Sequence, residues 1–187
     1  AERIPPATDR KRVASWNGYA ISGLARAGSL LGDERMLAEA AATADFVLRE
    51  MVDEKGQLLR IYNEGRARIP AFLDDHGSLL DACLDLYRAG AGDRFLSAAL
   101  RFAEHISERF FDPEEDDLFL TPLDGEALAF RPRSDHDGAT PHAAGLAVMG
   151  LVRMGQLAGR SDFTTIAERV IRSHHFVLER QPHAFPT

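Results

Sequence analysis

Three times along the chain, an Ala- and Gly-rich helical run gives way through a glycine break to a helix with one apolar stripe and one charged face. Met36-Leu37, Phe95-Leu96 and Phe163-Thr164 occupy the same place in successive units. A period of about 60 to 70 residues with two helices per unit is that of an array of αα-hairpins. The first helix of each pair is the less charged, so first helices are expected inside and second helices outside.

The punctuation fixes the expected elements. Helix one runs over about 15–31, with Ser15 as its cap, and Gly32-Asp33 ends it and caps helix two. Helix three runs over about 72–89. Gly90 and Gly92 follow it, and Asp93 is expected to cap helix four. Helix five starts near Thr140-Pro141, and Ser161 is expected to cap helix six, whose stripe runs from Phe163 to Val177. Two inserts join the units. Residues 56–70 read as a β-hairpin turning at Asn63-Glu64-Gly65, and residues 117–133 repeat the idea with Asp124-Gly125 as the turn. Each insert leads straight into the next inner helix, so together they can wall the end where inner helices begin.

Composition narrows the function classes. With 187 residues, 45% apolar and 27% charged, the chain has the balance of an ordinary globule and the length of one domain, 1–187. A net charge of −7 argues against nucleic acid and anionic membrane as partners, because a phosphate-tracking surface needs a basic excess. Cys83 is the only cysteine, which excludes intrachain disulfides and cysteine-cluster zinc; its place on the apolar face of helix three reads as core. Residues 143–152, the longest small-apolar run, fall short of a membrane span, and residues 1–6 have no signal-peptide core, so the cytoplasm is the default compartment. No phosphate loop, Gly-x-Ser-x-Gly elbow or Cys-x-x-Cys is present, and no cofactor or metal is expected.

If inner helices start at one end, three polar clusters meet there. They are Ser15-Trp16-Asn17-Gly18, Phe72-Leu73-Asp74-Asp75-His76, and Asp135-His136-Asp137 running on to Thr140-Pro141-His142. The result would be one polar mouth over an apolar bundle, with the positive ends of helix dipoles pointing into it. Acid–base work suits such a mouth. Crowded Asp74 and Asp75 can separate acid from base, and His76 and His142 can shuttle a proton. Trp16 and Phe72 offer flat faces for a sugar ring, with Asn17 beside them. The same residue types also serve plainer ends: Asp74 or Asp75 as helix cap, Trp16 as core, His136 as a solvated loop residue.

These stretches resemble the C-terminal part of the YyaL-like, spermatogenesis-associated thioredoxin-domain proteins. The resemblance rests on Arg3-Ile4-Pro5-Pro6 with Asp9-Arg10-Lys11, Ser15-Trp16-Asn17-Gly18, residues 69–75, and Asp137-Gly138-Ala139-Thr140-Pro141, and it runs along almost the whole chain. It implies an all-α fold: a partial α/α toroid of three helical hairpins with short β-hairpin inserts. That toroid is of the six-hairpin glycosidase kind, similar to N-acylglucosamine 2-epimerases. The family's thioredoxin-like domain is not in this chain. Two departures stand out: His76 where the family usually has Tyr, and His142-Ala143-Ala144-Gly145 where it tends to read Ser-Gly-Asn-Ser.

The functional expectation is a carbohydrate-active domain, epimerase-like or hydrolase-like, using Asp74, Asp75, Asp137, His76 and His142 on a sugar held by Trp16, Asn17 and Phe72. The alternative is a noncatalytic helical scaffold. A metal-assisted hydrolase built on Asp135, Asp137 and His142 ranks last. A three-hairpin arc also leaves apolar sides bare, so self-association, or cover from a missing toroid half, is expected.

Overall fold

The computed structural model describes residues 8–126, 129–133 and 138–180. Its elements are β1 (Arg12–Val13), α1 (Ala14–Leu31), α2 (Glu34–Glu50), β2 (Leu59–Asn63), β3 (Arg66–Pro70), α3 (Leu73–Arg88), α4 (Asp93–Arg109), β4 (Phe111–Asp112), β5 (Asp117–Leu118), α5 (Ala143–Ala158), α6 (Ser161–Ser173) and α7 (His175–Arg180). The helices pair as α1/α2, α3/α4 and α5/α6, and α1, α3 and α5 form the inner layer.

Local chemistry explains most boundaries. Gly32, at φ 67°, closes α1, and the Asp33 carboxylate accepts the Arg35 and Met36 amides to start α2. Three expected caps shift by a residue or two. Val13 holds the cap position of α1 in extended backbone because it pairs with Ile61 in a strand, so Ser15 lies inside the helix. Gly92 and Arg160 hold the corresponding places before α4 and α6, and Asp93 and Ser161 are first helical residues. Helix α5 begins at Ala143 rather than at Pro141, and His142 caps it: its Nδ1 accepts the Gly145 amide at 3.0 Å. The last helix breaks at His174, which sends Val177 onto α7.

The first insert is the expected hairpin, β2 and β3, with β1 added along its other edge. Glu64 and Gly65 both take positive φ, as a two-residue hairpin turn requires. The second hairpin differs from expectation. Strands β4 and β5 pair around residues 113–116, and Asp124-Gly125 makes a separate turn closed by the Gly125 amide on the Pro122 carbonyl.

The inner helices run parallel. Ser15 meets Asp75, Gly18 meets Ser78, and Arg26 meets Asp85, so α1 and α3 climb side by side from the same end. Gly77 lies on Leu146 and Ala147, and Gly150 lies on Leu80, so α5 follows in the same sense. Gly18 is required by this approach: a Cβ there would sit 2.9 Å from the Ser78 backbone. The core lies between the layers, filled by Phe95, Phe110, Phe163, Ile21, Met51 and the leucines of α3. Cys83 is part of it, and burial pushes its thiol up to about 12. No described helix is long and apolar enough to cross a membrane.

Candidate functional site

The starts of α1 and α3 are clamped together by one carboxylate. Asp75, fully buried, accepts the Ser15 amide at 2.9 Å and the Phe72 amide at 3.0 Å through its two oxygens. Arg60, delivered by β2, places one nitrogen 2.6 Å from Asp75 and 2.8 Å from Asp74. The Asp75 carboxyl is pushed up by burial first and by the Asp74 charge second, while the Phe72 amide, Arg60 and the Ser15 amide pull it down. Asp74 keeps 24% of its side chain exposed. The inserts do wall this end: besides Arg60, the second insert gives the Leu120 carbonyl to the Leu73 amide.

Around the clamp lies a short polar rim. Trp16 is 61% exposed, so it is not core. Tyr19, one turn along α1 on the same side, has a buried hydroxyl with no hydrogen-bond partner among the described residues. Burial and the charges of Asp74 and Asp75 push that hydroxyl up to about 12.

Other expected site residues are engaged elsewhere. The His76 ring is buried in the seam between α3 and α4, against Phe102, His105 and Phe110, with Nδ1 3.0 Å from the Phe72 carbonyl. Burial lowers it to about 4, so it is a neutral core histidine rather than a mouth residue. Helix geometry explains this, since residues 74 and 76 point about 200° apart. Asn17 donates back to the Val13 carbonyl at the start of α1. Phe72 is covered by the Arg60 guanidinium, 4.9 Å from its ring centroid, and offers no open platform on that side. His142 faces α6, its ring 6.3 Å from that of His174, and His174 Nε2 lies 2.9 Å from Asp117. Asp135, His136 and Asp137 lie outside the described residues, as does Arg3-Ile4-Pro5-Pro6. Among the described residues no three His, Cys, Asp or Glu side chains gather as a metal site.

Deeper on the same side sits a charge cluster that sequence reasoning missed. Asp81 and Asp85 of α3 are each gripped by Arg26 from α1 and Arg153 from α5, and Ser22 adds a hydrogen bond to Asp85. Two flanking helices reach the same pair of carboxylates, so this is the concave face of the inner layer; α4 packs on the opposite side of α3. A polar hollow of about 450 Å³ opens there, lined by Arg26, Ser29, Asp85, Arg88 and Arg153. The only signal in the sequence was a lone arginine in each of two otherwise uncharged helices.

Parallel inner helices, antiparallel outer ones and a polar concave face define half of an α/α toroid. Solved structures agree. The chain superimposes on cellobiose 2-epimerase from Bacillus thermoamylovorans with a TM-score of 0.70 at 11% identity, covering 89% of this chain and 45% of that one. The GH76 α-mannanase of Bacteroides thetaiotaomicron gives 0.69 at 19% identity, over 92% and 45%. Unsaturated glucuronyl hydrolase from Bacillus sp. GL1 gives 0.67 at 16%, over 91% and 48%. At these identities the likeness establishes the fold.

The particular relationship comes from sequence. The chain is homologous to a stretch of spermatogenesis-associated protein 20, with 31% identity to the mouse protein over 188 residues and 30% to the human protein over 194. It spans about a quarter of the length of these relatives, 24% and 25%, while 95% and 98% of the chain is matched. No family model matches.

Proposed function

We propose that the rim formed by Trp16, Tyr19 and Asp74 is a carbohydrate site, with the sugar ring stacked on the indole and Asp74 as the carboxylate that exchanges protons with it. The observation that carries this is the charge surplus at the rim. Asp75 is committed to two backbone amides and to Arg60, so Asp74, 24% exposed and paired with the same Arg60, is the more accessible of the two carboxylates; at the same end of α1 Trp16 is exposed and the Tyr19 hydroxyl is unpartnered among the described residues. An exposed aromatic face next to a carboxylate suits a ring that is apolar on its faces and hydroxylated at its edge. The fold neighbours, which include sugar epimerases and glycoside hydrolases, support the same class. In hydrolysis Asp74 would take a proton from water or give one to the leaving oxygen; in epimerisation it would take one from the carbon beside the carbonyl of the ring-opened sugar, a second group returning a proton to the opposite face. The second acid or base is assigned to Asp137 by its place in the sequence alone.

Trp16 is the only tryptophan, so its emission reports the rim directly. Titration with a panel of neutral and acidic mono- and disaccharides should shift or quench it. Trp16→Phe should remove the signal while binding followed calorimetrically persists, weakened. Asp74→Asn should leave binding within a few fold and abolish turnover of any sugar the protein converts. Absence of an emission change and of heat across the panel would leave the scaffold reading.

A further inference from the structure

The hollow over the deep charge cluster is lined by more hydrogen-bond donors than the cluster uses. Asp81 and Asp85 engage Arg26 through Nε and Nη2, and Arg153 through Nη1 and Nη2. Arg26 Nη1 and Arg153 Nε are left without an acceptor among the described residues. Arg88 lies three residues beyond Asp85, on the same side of α3, and lines the hollow as well. It has no hydrogen-bond or ion-pair partner among the described residues. Asp85 is the only acidic side chain in the lining, and both its oxygens are taken, Oδ1 by Arg153 and Oδ2 by Arg26 and Ser22. What the hollow lacks is an acceptor.

Charge points the same way. Three guanidinium groups stand against two carboxylates, a local surplus of one positive charge in a chain of net charge −7. The carbonyl end of α3 carries about half a negative charge, which the full charge of Arg88 in its last turn outweighs. The donors come from α1, α3 and α5, and so from three directions. That suits an oxyanion with oxygens on several sides better than a planar carboxylate, which a single guanidinium fork can satisfy. Leu30 of α1 and Met149 of α5, both exposed, line the same hollow. At about 450 Å³ it is larger than a bare phosphate needs and of the size of a small-ligand pocket.

We propose that this hollow binds a small phosphate monoester. Arg88, Arg26 Nη1 and Arg153 Nε hold the phosphoryl oxygens, and the organic part lies against Leu30 and Met149. Asp81 and Asp85 already fix Arg26 and Arg153, so binding orders only Arg88 and costs little side-chain freedom. Arg26 stands about 15 Å along α1 from Trp16. The anion site is therefore separate from the rim and stands whatever the rim binds.

Calorimetric titration of the purified chain at fixed ionic strength tests it, with inorganic phosphate, phenyl phosphate and acetate as ligands. Both phosphates should bind saturably, phenyl phosphate the more tightly, and acetate more weakly than either. Arg88→Gln should weaken both phosphates by about tenfold, the value of one charge-assisted contact. Far-ultraviolet circular dichroism should not change in this variant, because Arg88 has no partner to lose among the described residues. Arg66→Gln, which removes the same charge from the exposed strand β3, should leave binding as it is. Trp16 emission should stay constant throughout. Absence of saturable phosphate binding overturns the proposal. Equal losses in Arg88→Gln and Arg66→Gln overturn it too, since they would mean diffuse attraction to positive charge. Phosphate binding that shifts Trp16 emission and ignores Arg88→Gln would put the anion at the rim instead. Acetate binding as tightly as phosphate, or phenyl phosphate no tighter than inorganic phosphate, would refute the phosphate monoester as the ligand.

Discussion

Helix α3 carries two clusters in which paired aspartates meet arginine, and they differ by one charge. At its start, Asp74 and Asp75 share Arg60 alone. About 10 Å further along the helix axis, Asp81 and Asp85 face Arg26 and Arg153, two against two. The deep cluster is closed: each carboxylate oxygen has a cationic donor, and the network ties three helices together. The rim cluster keeps one net negative charge, with Asp75 locked into backbone and Asp74 holding the same Arg60 nitrogen from a partly exposed position. Balanced charge marks the tie between helices, and surplus charge marks the place where chemistry can happen.

The contrast breaks first at the deep cluster. Arg153→Ala leaves Asp81 and Asp85, both nearly buried, to share the half-exposed Arg26. Removing one partner of such a network should cost about 4 kcal/mol, read as a fall in urea midpoint with an unchanged slope. A loss under about 1 kcal/mol, the value of an exposed ion pair, would mean that water already screens the cluster.

A second test separates the two faces of α3. His76 is neutral in the fold, its value lowered from 6.5 to about 4 by burial. The unfolded chain therefore takes up a proton that the folded chain refuses. The stability held above pH 6.5 is lost as pH falls toward 4, by about 3 kcal/mol over that window. His76→Leu should flatten that slope. A remainder should persist from His105, which is lowered in the same direction, chiefly by burial. An unchanged slope would place the acid sensitivity elsewhere.

The clamp comes next. Asp75→Ala strands the Ser15 and Phe72 amides at the junction of α1 and α3 and should cost about 2 kcal/mol, again by urea titration. Hydrogen exchange should rise at those two amides before it rises in the α3 core. Protection unchanged at Ser15 would show that the clamp does not hold the two helix starts together.

The sequence made some of this legible and concealed the rest for physical reasons. Stripes, glycine breaks and the Asp33 cap are local, so three hairpins could be read from period and punctuation. The clamp joins residues 60 apart, and the deep network joins helices 55 to 72 residues apart, so neither leaves a local trace. Ser15 is a cap by type, yet β1 brings extended backbone up to Val13 and starts the helix earlier. Asp124-Gly125 carries the stronger turn signal, but β4 and β5 turn at residues 113–116, where the Glu114 amide bonds the Asp112 side chain and Asp116 takes positive φ. His76 could have been placed: adjacent polar residues on a helix cannot share a face, so a cluster of three had to split between the mouth and the seam.

The smallest effect sharpens the comparison most. Asp74→Ala removes the carboxylate that the rim can spare. Arg60 keeps Asp75 at 2.6 Å, both amides of the clamp stay bonded, and Asp75 loses the like charge that pushes its carboxyl up. One favourable pair and one unfavourable pair vanish together, so stability should change by less than about 0.5 kcal/mol in either direction. The same substitution should abolish turnover of any sugar that the rim processes. If Asp74→Ala instead unfolds the chain as far as Asp75→Ala does, the two carboxylates form one structural unit and the rim carries no surplus for chemistry.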